Sequence, residues 1–293
     1  IDDDMKRRDF SINAMAIHLA PNSWGKLLDP YNGQRDLDHS IIRILHEKSF
    51  MDDATRILRS VRYAQRLAFN IDESTQQSIQ ENLHFLDTIK GDRIRHEFER
   101  IIIENEASSI LELAQNLGVL SIICPTINLH DKLLNKLQNS YSPSQEKKIL
   151  LFIAAIAYTI ESKYLNRFKS KLNMDAKWSN IVTNVEHVKK SLVDLRKPIL
   201  LASEIYHILN QSDSSAIEGS YLATDEPIVS QRLVRYLDDL RHVQIALNGQ
   251  DLIRLGVDKG PRVGEILNDI LTAKLDGIVV TRDDEEKLVR TLT

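Results

Sequence analysis

The sequence predicts a mainly α protein, with a short mixed α/β piece over residues 1–46 followed by helices to the C-terminus. Three observations carry this. In the first segment, short apolar runs alternate with Asp-Pro and Asn-Gly turn signals, the pattern of strands and tight turns. From Met51 onward, apolar residues recur with a 3.6-residue period. Only seven prolines and ten glycines occur in 293 residues, mostly between the periodic blocks, so the helical pattern meets few breakers.

Along the chain, "LLDPYNGQRDL" (27–37) places turns between short apolar runs. "ATRILRSVRYAQRLAF" (54–69), "IRHEFERIII" (94–103), "SILELAQNLGVLSII" (109–123) and "IVTNVEHVKKSLVDL" (181–195) read as amphipathic helices. The longest apolar run, "ILLFIAAIAYTI" (149–160), is too short to span a bilayer and reads as a buried helix. "YSPSQEKK" (141–148) and "NQSDSSAIEGS" (210–220) read as loops or joints. Gly260 and Pro261 predict a helix start, with proline in its preferred first position. No fixed-period repeat stands out.

Apolar residues make up 42% and charged residues 27%, as in ordinary globular proteins. A net charge of −4 excludes a strongly basic nucleic-acid binder but leaves room for local basic patches. The single cysteine, Cys124, forbids an intrachain disulfide; a buried thiol in a reducing, cytoplasmic setting is expected, with no membrane segment. The nine histidines show no ligand spacing. His130-Asp131 invites a metal-phosphohydrolase reading, but the partner residues of such a site are not recognisable, and no metal ligand is assigned.

"MDDATRILRSVRYAQRLAF" (51–69) is the most informative stretch. As a helix from about Asp52, it puts Leu58, Val61, Ala64 or Gln65, and Ala68 on a core-facing stripe. Arg56, Arg59, Arg62 or Tyr63, and Arg66 fall on the neighbouring stripe. Asp52 and Asp53 suit a helix N-terminus. The plain interpretation is a solvated face of ion pairs. The sharper one has arginines gripping phosphates while Asp53 and Arg56 read a base edge. A carboxylate accepts from an exocyclic amino group, and an arginine donates to the adjacent ring nitrogen. Cytosine and adenine satisfy such a pair. Uracil and guanine oppose a carbonyl to the carboxylate and an N–H to the arginine.

Five segments in order decide between the two: "RRDFSINAMA" (7–16), "DPYNGQRDL" (29–37), "DDATRILRSVRYAQRLAF" (52–69), "GDRIRHEFERII" (91–102) and "LNGQDLIRLGVDKGPRVGEIL" (247–267). Together they resemble the tRNA nucleotidyltransferase and bacterial poly(A) polymerase family, and within it the class II, bacterial-type CCA-adding enzymes. Asp52 for glutamate and Tyr63 for phenylalanine are mild departures. The resemblance covers nearly the whole chain. It implies the remnant of a polymerase β-like nucleotidyltransferase head over 1–46, a nucleotide-templating neck over 47–105, a helical body over 106–245 and a tRNA-binding tail over 246–293.

The resemblance further implies addition of CMP and AMP, from CTP and ATP, to tRNA 3′ ends. Alternatives are an A-adding enzyme or poly(A) polymerase, and a non-catalytic RNA-binding protein on this scaffold. Arg8 of the RRD motif, with neighbouring Arg7, would contact the nucleotide. Asp53 and Arg56 match the base-templating pair, and Arg59 and Arg62 the triphosphate-gripping arginines. Asp9 and Asn13 would order the loop or approach the ribose, while Asp29, Gly33 and Asp36 would brace the active-site sheet. At Gly260-Pro261, free helix N–H groups with Lys259 and Arg262 suit a phosphate of the acceptor and T-stem side of tRNA, an ordinary helix cap being the alternative. The catalytic D-x-D that binds Mg²⁺ lies upstream of the RRD motif in the family. Since that motif begins here at Arg7, no catalytic residue is assigned, and the 293-residue chain alone is expected to be inactive.

Overall fold

The structure is a computed structural model; it describes residues 1–293, the side chain of Asp2 excepted. The chain divides into two compact units, residues 1–182 and 183–293.

The first unit opens as the turn signals predict. Helix α1 (Asp2–Lys6) and a 3₁₀ turn (Ser11–Asn13) precede strands β1 (Ala16–Ile17) and β2 (Leu27–Leu28), which pair antiparallel. Helix α2 (Gly33–Asp38) and strand β3 (Ile41–Ile42) follow. Asp29 accepts from the backbone N–H of Gly33 (2.6 Å) and Gln34 (3.0 Å), so the DPYNG turn closes onto the start of α2. A Cβ on Gly33 would lie 2.2 Å from the Ser11 carbonyl oxygen, so only glycine permits this approach to the 3₁₀ turn. Buried Asp36 accepts from Ser11 Oγ (2.6 Å) and Arg43 Nε (3.1 Å). These contacts brace the RRD loop from below.

Helices then dominate: α3 (Ser49–Asp52), α4 (Thr55–Leu67), α5 (Glu73–Asn82), α6 (Gly91–Ile103), α7 (Ala107–Asn116), α8 (Val119–Ile123), α9 (Asp131–Gln138), α10 (Gln145–Thr159), α11 (Leu165–Lys171) and the start of α12 (Ala176–Lys190). A two-residue strand, β4 (Asn70–Ile71), interrupts them and pairs parallel with β3. The periodicity did not show it, because two residues are too few to display alternation. Ala68 ends α4 in the left-handed conformation (φ 55°) and turns the chain back toward β3. It is exposed, so the expected core stripe of α4 stops at Ala64, while Leu58 and Val61 are buried as expected. Within α10, Leu151, Phe152, Ile153 and Ile156 are all fully buried, and each such side chain contributes about 1.5–3 kcal/mol. Cys124 is buried.

The second unit holds the rest of α12 and helices α13 (Leu192–Leu195), α14 (Ala202–Leu209), α15 (Ser214–Ala223), α16 (Pro227–Asp238), α17 (Gly249–Arg254), α18 (Pro261–Leu275) and α19 (Arg282–Leu292). One core joins Ile205, Leu209, Ile217, Leu233 and Leu237; a second joins Leu247, Leu252, Ile266, Ile270 and Val289. Helix α18 starts at Pro261, as predicted.

Two loop readings are corrected. Residues 214–220 belong to α15: Asp213 caps it by accepting from Ser215 N–H (2.8 Å), and buried Ser220 satisfies its hydroxyl on the Ala216 carbonyl (2.7 Å). The Ser/Gly-rich composition that suggested a loop lets α15 pack closely against α16. Likewise, residues 145–148 form the first turn of α10, capped by Ser144. Among the described residues, no helix is long and apolar enough to cross a membrane.

Candidate functional site

The RRD loop and α4 enclose a cavity of about 420 Å³ lined by Arg7, Arg8, Asp9, Asn13, Asp53, Arg56, Arg59 and Tyr63. Residues 40 to 56 positions apart in the chain thus meet at one place. The site is charged and polar, with Tyr63 supplying a flat face; the Phe10 ring meets Tyr63 edge-on at 5.8 Å.

Asp53 sits in the break between α3 and α4, with extended backbone (φ −152°, ψ 98°). Its Oδ1 accepts from Thr55 N–H (3.0 Å) and Thr55 Oγ1 (2.6 Å), and its Oδ2 from Arg93 Nη2 (2.8 Å). Burial disfavours its charge, but the Thr55 hydrogen bonds and the Arg93 charge outweigh this and hold the carboxyl below its usual range. Arg56, predicted as part of an arginine stripe, is almost fully buried. Its Nη1 donates to the Ser49 carbonyl (3.2 Å) and its Nη2 to the Arg7 carbonyl (2.6 Å), tying α4 to the RRD loop.

Asp9 is buried and organises the loop. Its Oδ1 accepts from Phe10 N–H (3.0 Å) and Asn13 Nδ2 (3.0 Å), and its Oδ2 from Arg59 Nε (2.9 Å) and Nη2. Burial opposes its ionisation, yet the bonds from Asn13 and Arg59 prevail and lower its pKa. Arg8 reaches back to Asp4 (2.7 Å) at the exposed rim, and Arg7 lines the cavity beside it.

Arg62 lies elsewhere. It is buried against α6, with Nη2 3.4 Å from Glu97 Oε2, Nη1 3.2 Å from Glu104 Oε1, and its guanidinium carbon 4.9 Å from the Tyr63 ring centroid. It does not line the cavity. The carboxylates opposite the α4 arginines thus come from other segments, where the sequence suggested pairing along the helix itself. Glu97 also meets Arg59 (3.6 Å) and Arg100 (2.6 Å).

In the second unit, Lys259 lines a separate open cavity of about 670 Å³ with Asn248, Gln250, Gly260 and Val263. Arg262 is directed to Glu265 Oε2 (3.0 Å) and the Leu292 carbonyl (3.1 Å) instead. His130 caps α9, its Nδ1 accepting from Leu133 N–H (3.2 Å), which gives the His-Asp pair a local structural use. Among the described residues, no group of three or more His, Cys, Asp or Glu could hold a metal ion. Sequence reasoning assigned no role to Thr55, Arg93 or Glu97. For Arg93 there was a signal: a basic residue in the first turn of a helix opposes the helix dipole.

Residues 1–43 match a family model described as the poly A polymerase head domain, and residues 68–130 one described as a probable RNA and SrmB-binding site of polymerase A. An A-adding tRNA nucleotidyltransferase of Geobacter sulfurreducens is 30% identical over 97% of this chain, which spans 34% of that protein's length. An A-adding tRNA nucleotidyltransferase of Halalkalibacterium halodurans is 30% identical over 99% of this chain and 68% of its own length. The structure of the Thermotoga maritima CCA-adding enzyme complexed with tRNA superimposes with a TM-score of 0.78 at 26% identity, covering 100% of this chain and 74% of that one. The chain belongs to the tRNA nucleotidyltransferase and poly(A) polymerase family of enzymes.

Proposed function

We propose that this chain is the nucleotide-selecting and RNA-holding part of an enzyme that adds CMP and AMP to tRNA 3′ ends without a nucleic-acid template. One observation carries the reading: Asp53 and Arg56 share a cavity of about 420 Å³ with Arg7, Arg8 and Arg59. A carboxylate, guanidinium groups and an aromatic face in that volume suit a nucleoside triphosphate, with a base edge toward Asp53 and Arg56 and phosphates toward the other arginines. In the free state Arg56 is committed to two carbonyls, so base reading requires it to share a donor or exchange one. Asp9 and Asn13 hold the loop in shape. Arg62, facing Glu97 and Glu104, acts on the triphosphate through the placement of α4. The four-part division into head, neck, body and tail belongs to this proposal, as does RNA contact at Lys259. Mg²⁺ would supply charge neutralisation for pyrophosphate departure in the complete enzyme; the residues here bind and orient.

A second reading, addition of A alone, is favoured by the two A-adding relatives. An Asp/Arg pair accepts both C and A and does not separate the two readings. Single-nucleotide incorporation by the full-length enzyme does, on tRNA ending at the discriminator base and on tRNA ending in CC. Use of CTP on the first substrate supports CCA addition; no incorporation on the first together with use of ATP on the second supports A addition. Asp53→Asn combined with Arg56→Ala should raise UTP and GTP use relative to CTP and ATP. An even loss across all four bases would refute base reading by this pair.

A further inference from the structure

We infer that Arg93, in the first turn of α6, is a specificity-determining positioning residue that aims the Asp53 carboxylate at the base. The inference rests on the base-reading role proposed above and extends it to a residue 40 positions away.

A carboxylate offers about four acceptor positions. Thr55 fills two on Oδ1 through its N–H and hydroxyl, and Arg93 fills one on Oδ2. One acceptor position remains, on Oδ2. Asp53 lines two cavities: the 420 Å³ cavity of the RRD loop and a neighbouring one of about 270 Å³ that contains Arg93, His96 and Arg100. Arg93 approaches from the second and leaves the first open. An exocyclic amino group of cytosine or adenine has one proton to give there, and a carbonyl of uracil or guanine meets a lone pair. Discrimination requires that the carboxylate stay where it is. A carboxylate tethered at Oδ1 alone could swing aside and relieve the repulsion; one tethered at both oxygens cannot.

Two further features argue that the Arg93–Asp53 pair is kept for this purpose. Both side chains are part exposed, at 50% and 29%, and such pairs add little to stability. Arg93 also sits where the helix dipole disfavours a cation. The start of α6 is nevertheless held rigidly. A Cβ on Gly91 would lie 2.7 Å from the Lys171 carbonyl oxygen, Asn173 Nδ2 donates to Asp92 Oδ1 (2.8 Å), and Arg95 Nη1 donates to the Asn173 carbonyl (2.5 Å). The scaffold thus fixes the origin of the Arg93 side chain through contacts that Arg93 does not make.

The test uses the full-length enzyme with Arg93→Ala, Arg93→Lys and Asp53→Asn. Each of the four nucleotides is offered alone on tRNA lacking CCA and on tRNA ending in CC, kcat and KM are measured for each, and thermal unfolding is followed in parallel. Arg93→Ala should lower the preference for C and A over U and G about tenfold. The midpoint of unfolding should stay near wild type, and Arg93→Lys, which restores the charge, should recover most of the preference. If Asp53→Asn loses the preference while Arg93→Ala keeps it, the inference fails and base reading stands. If Asp53→Asn also keeps it, both fail. An equal loss of kcat/KM for all four nucleotides in Arg93→Ala, with the preference intact, would make Arg93 a general support of the site and overturn the inference.

Discussion

Arg59 and Arg62 lie three residues apart on α4, and their surroundings assign them different work. Arg59 is part exposed, engages Asp9 and lines the cavity beside the RRD loop. Its replacement by alanine removes a charge-assisted contact common to all nucleotides. C and A incorporation should fall together by about ten- to a hundredfold, read as kcat/KM for each nucleotide. It also leaves Asp9 with only Phe10 N–H and Asn13 as partners, so a double-mutant cycle of Arg59→Ala with Asp9→Asn should be strongly non-additive. Arg62 and Glu97 are both buried, and removing the arginine takes one partner from each of two carboxylates, leaving Glu97 to Arg59 and Arg100 and Glu104 to Arg66. Arg62→Met should destabilise the protein by about 1–3 kcal/mol in urea unfolding. Nucleotide KM should change little at a temperature where the variant is folded. A large KM increase in a fully folded Arg62→Met enzyme would restore direct triphosphate contact. Both arginines are visible in the sequence, but their difference is not, because it depends on Glu97 and Glu104 arriving from another segment.

At the scale of elements, α6 is the part most constrained by its neighbours. Its start packs so closely against residues 171–173 that a methyl group on Gly91 would meet backbone atoms at 2.7 and 2.8 Å. These are main-chain atoms and cannot rotate away. Gly91→Ala is therefore expected to destabilise the first unit by about 1–3 kcal/mol, despite alanine's better helix propensity, in a denaturant titration. Stabilisation instead would mean that the approach is loose. Helix α15 shows the converse limit of sequence reading. Serine, alanine and glycine carry no strong period, so the segment resembled a joint. Only the packing of small side chains against α16, and the Asp213 cap, make it a helix.

Across the whole molecule, charge is spread as local pairs, consistent with a net charge of only −4. One of them is formed by Glu285 on α19, which is fully buried. It accepts from the N–H of Ala246 (2.8 Å) and Leu247 (2.9 Å) and from Lys274 Nζ (2.6 Å). Burial opposes its charge, and the bonds from Lys274 and the two amides outweigh it, so its pKa is lowered in the folded state. A lowered carboxyl contributes its full stability above the unfolded value, about 4.3, and loses it as pH falls through the folded value. Thermal unfolding should therefore show a loss of stability below about pH 4 that is smaller in Glu285→Gln, measured from pH 7 to pH 3. For RNA binding, Lys259 faces an open cavity while Arg262 is already engaged. Lys259→Glu should weaken tRNA binding and lower the salt slope by about 1, and Arg262→Glu should do less. Equal affinities in filter binding would return the start of α18 to a plain helix cap.

The sequence by itself determined the fold class, the family and the residues that gather at the cavity, because periodicity, turn chemistry and ordered motifs are local properties of the chain. It placed Arg7, Arg8, Asp9, Asn13, Asp53, Arg56 and Arg59 as candidates, and these line one cavity. Tertiary structure alone decided what each polar group faces. It buried Arg56 on two carbonyls, turned Arg62 away to Glu97 and Glu104, directed Arg262 to Glu265, and brought Arg93 to Asp53. The physical reason is that a long polar side chain has several staggered rotamers of similar energy. Which one is occupied is set by partners from distant parts of the chain, and spacing along a single helix carries no record of them.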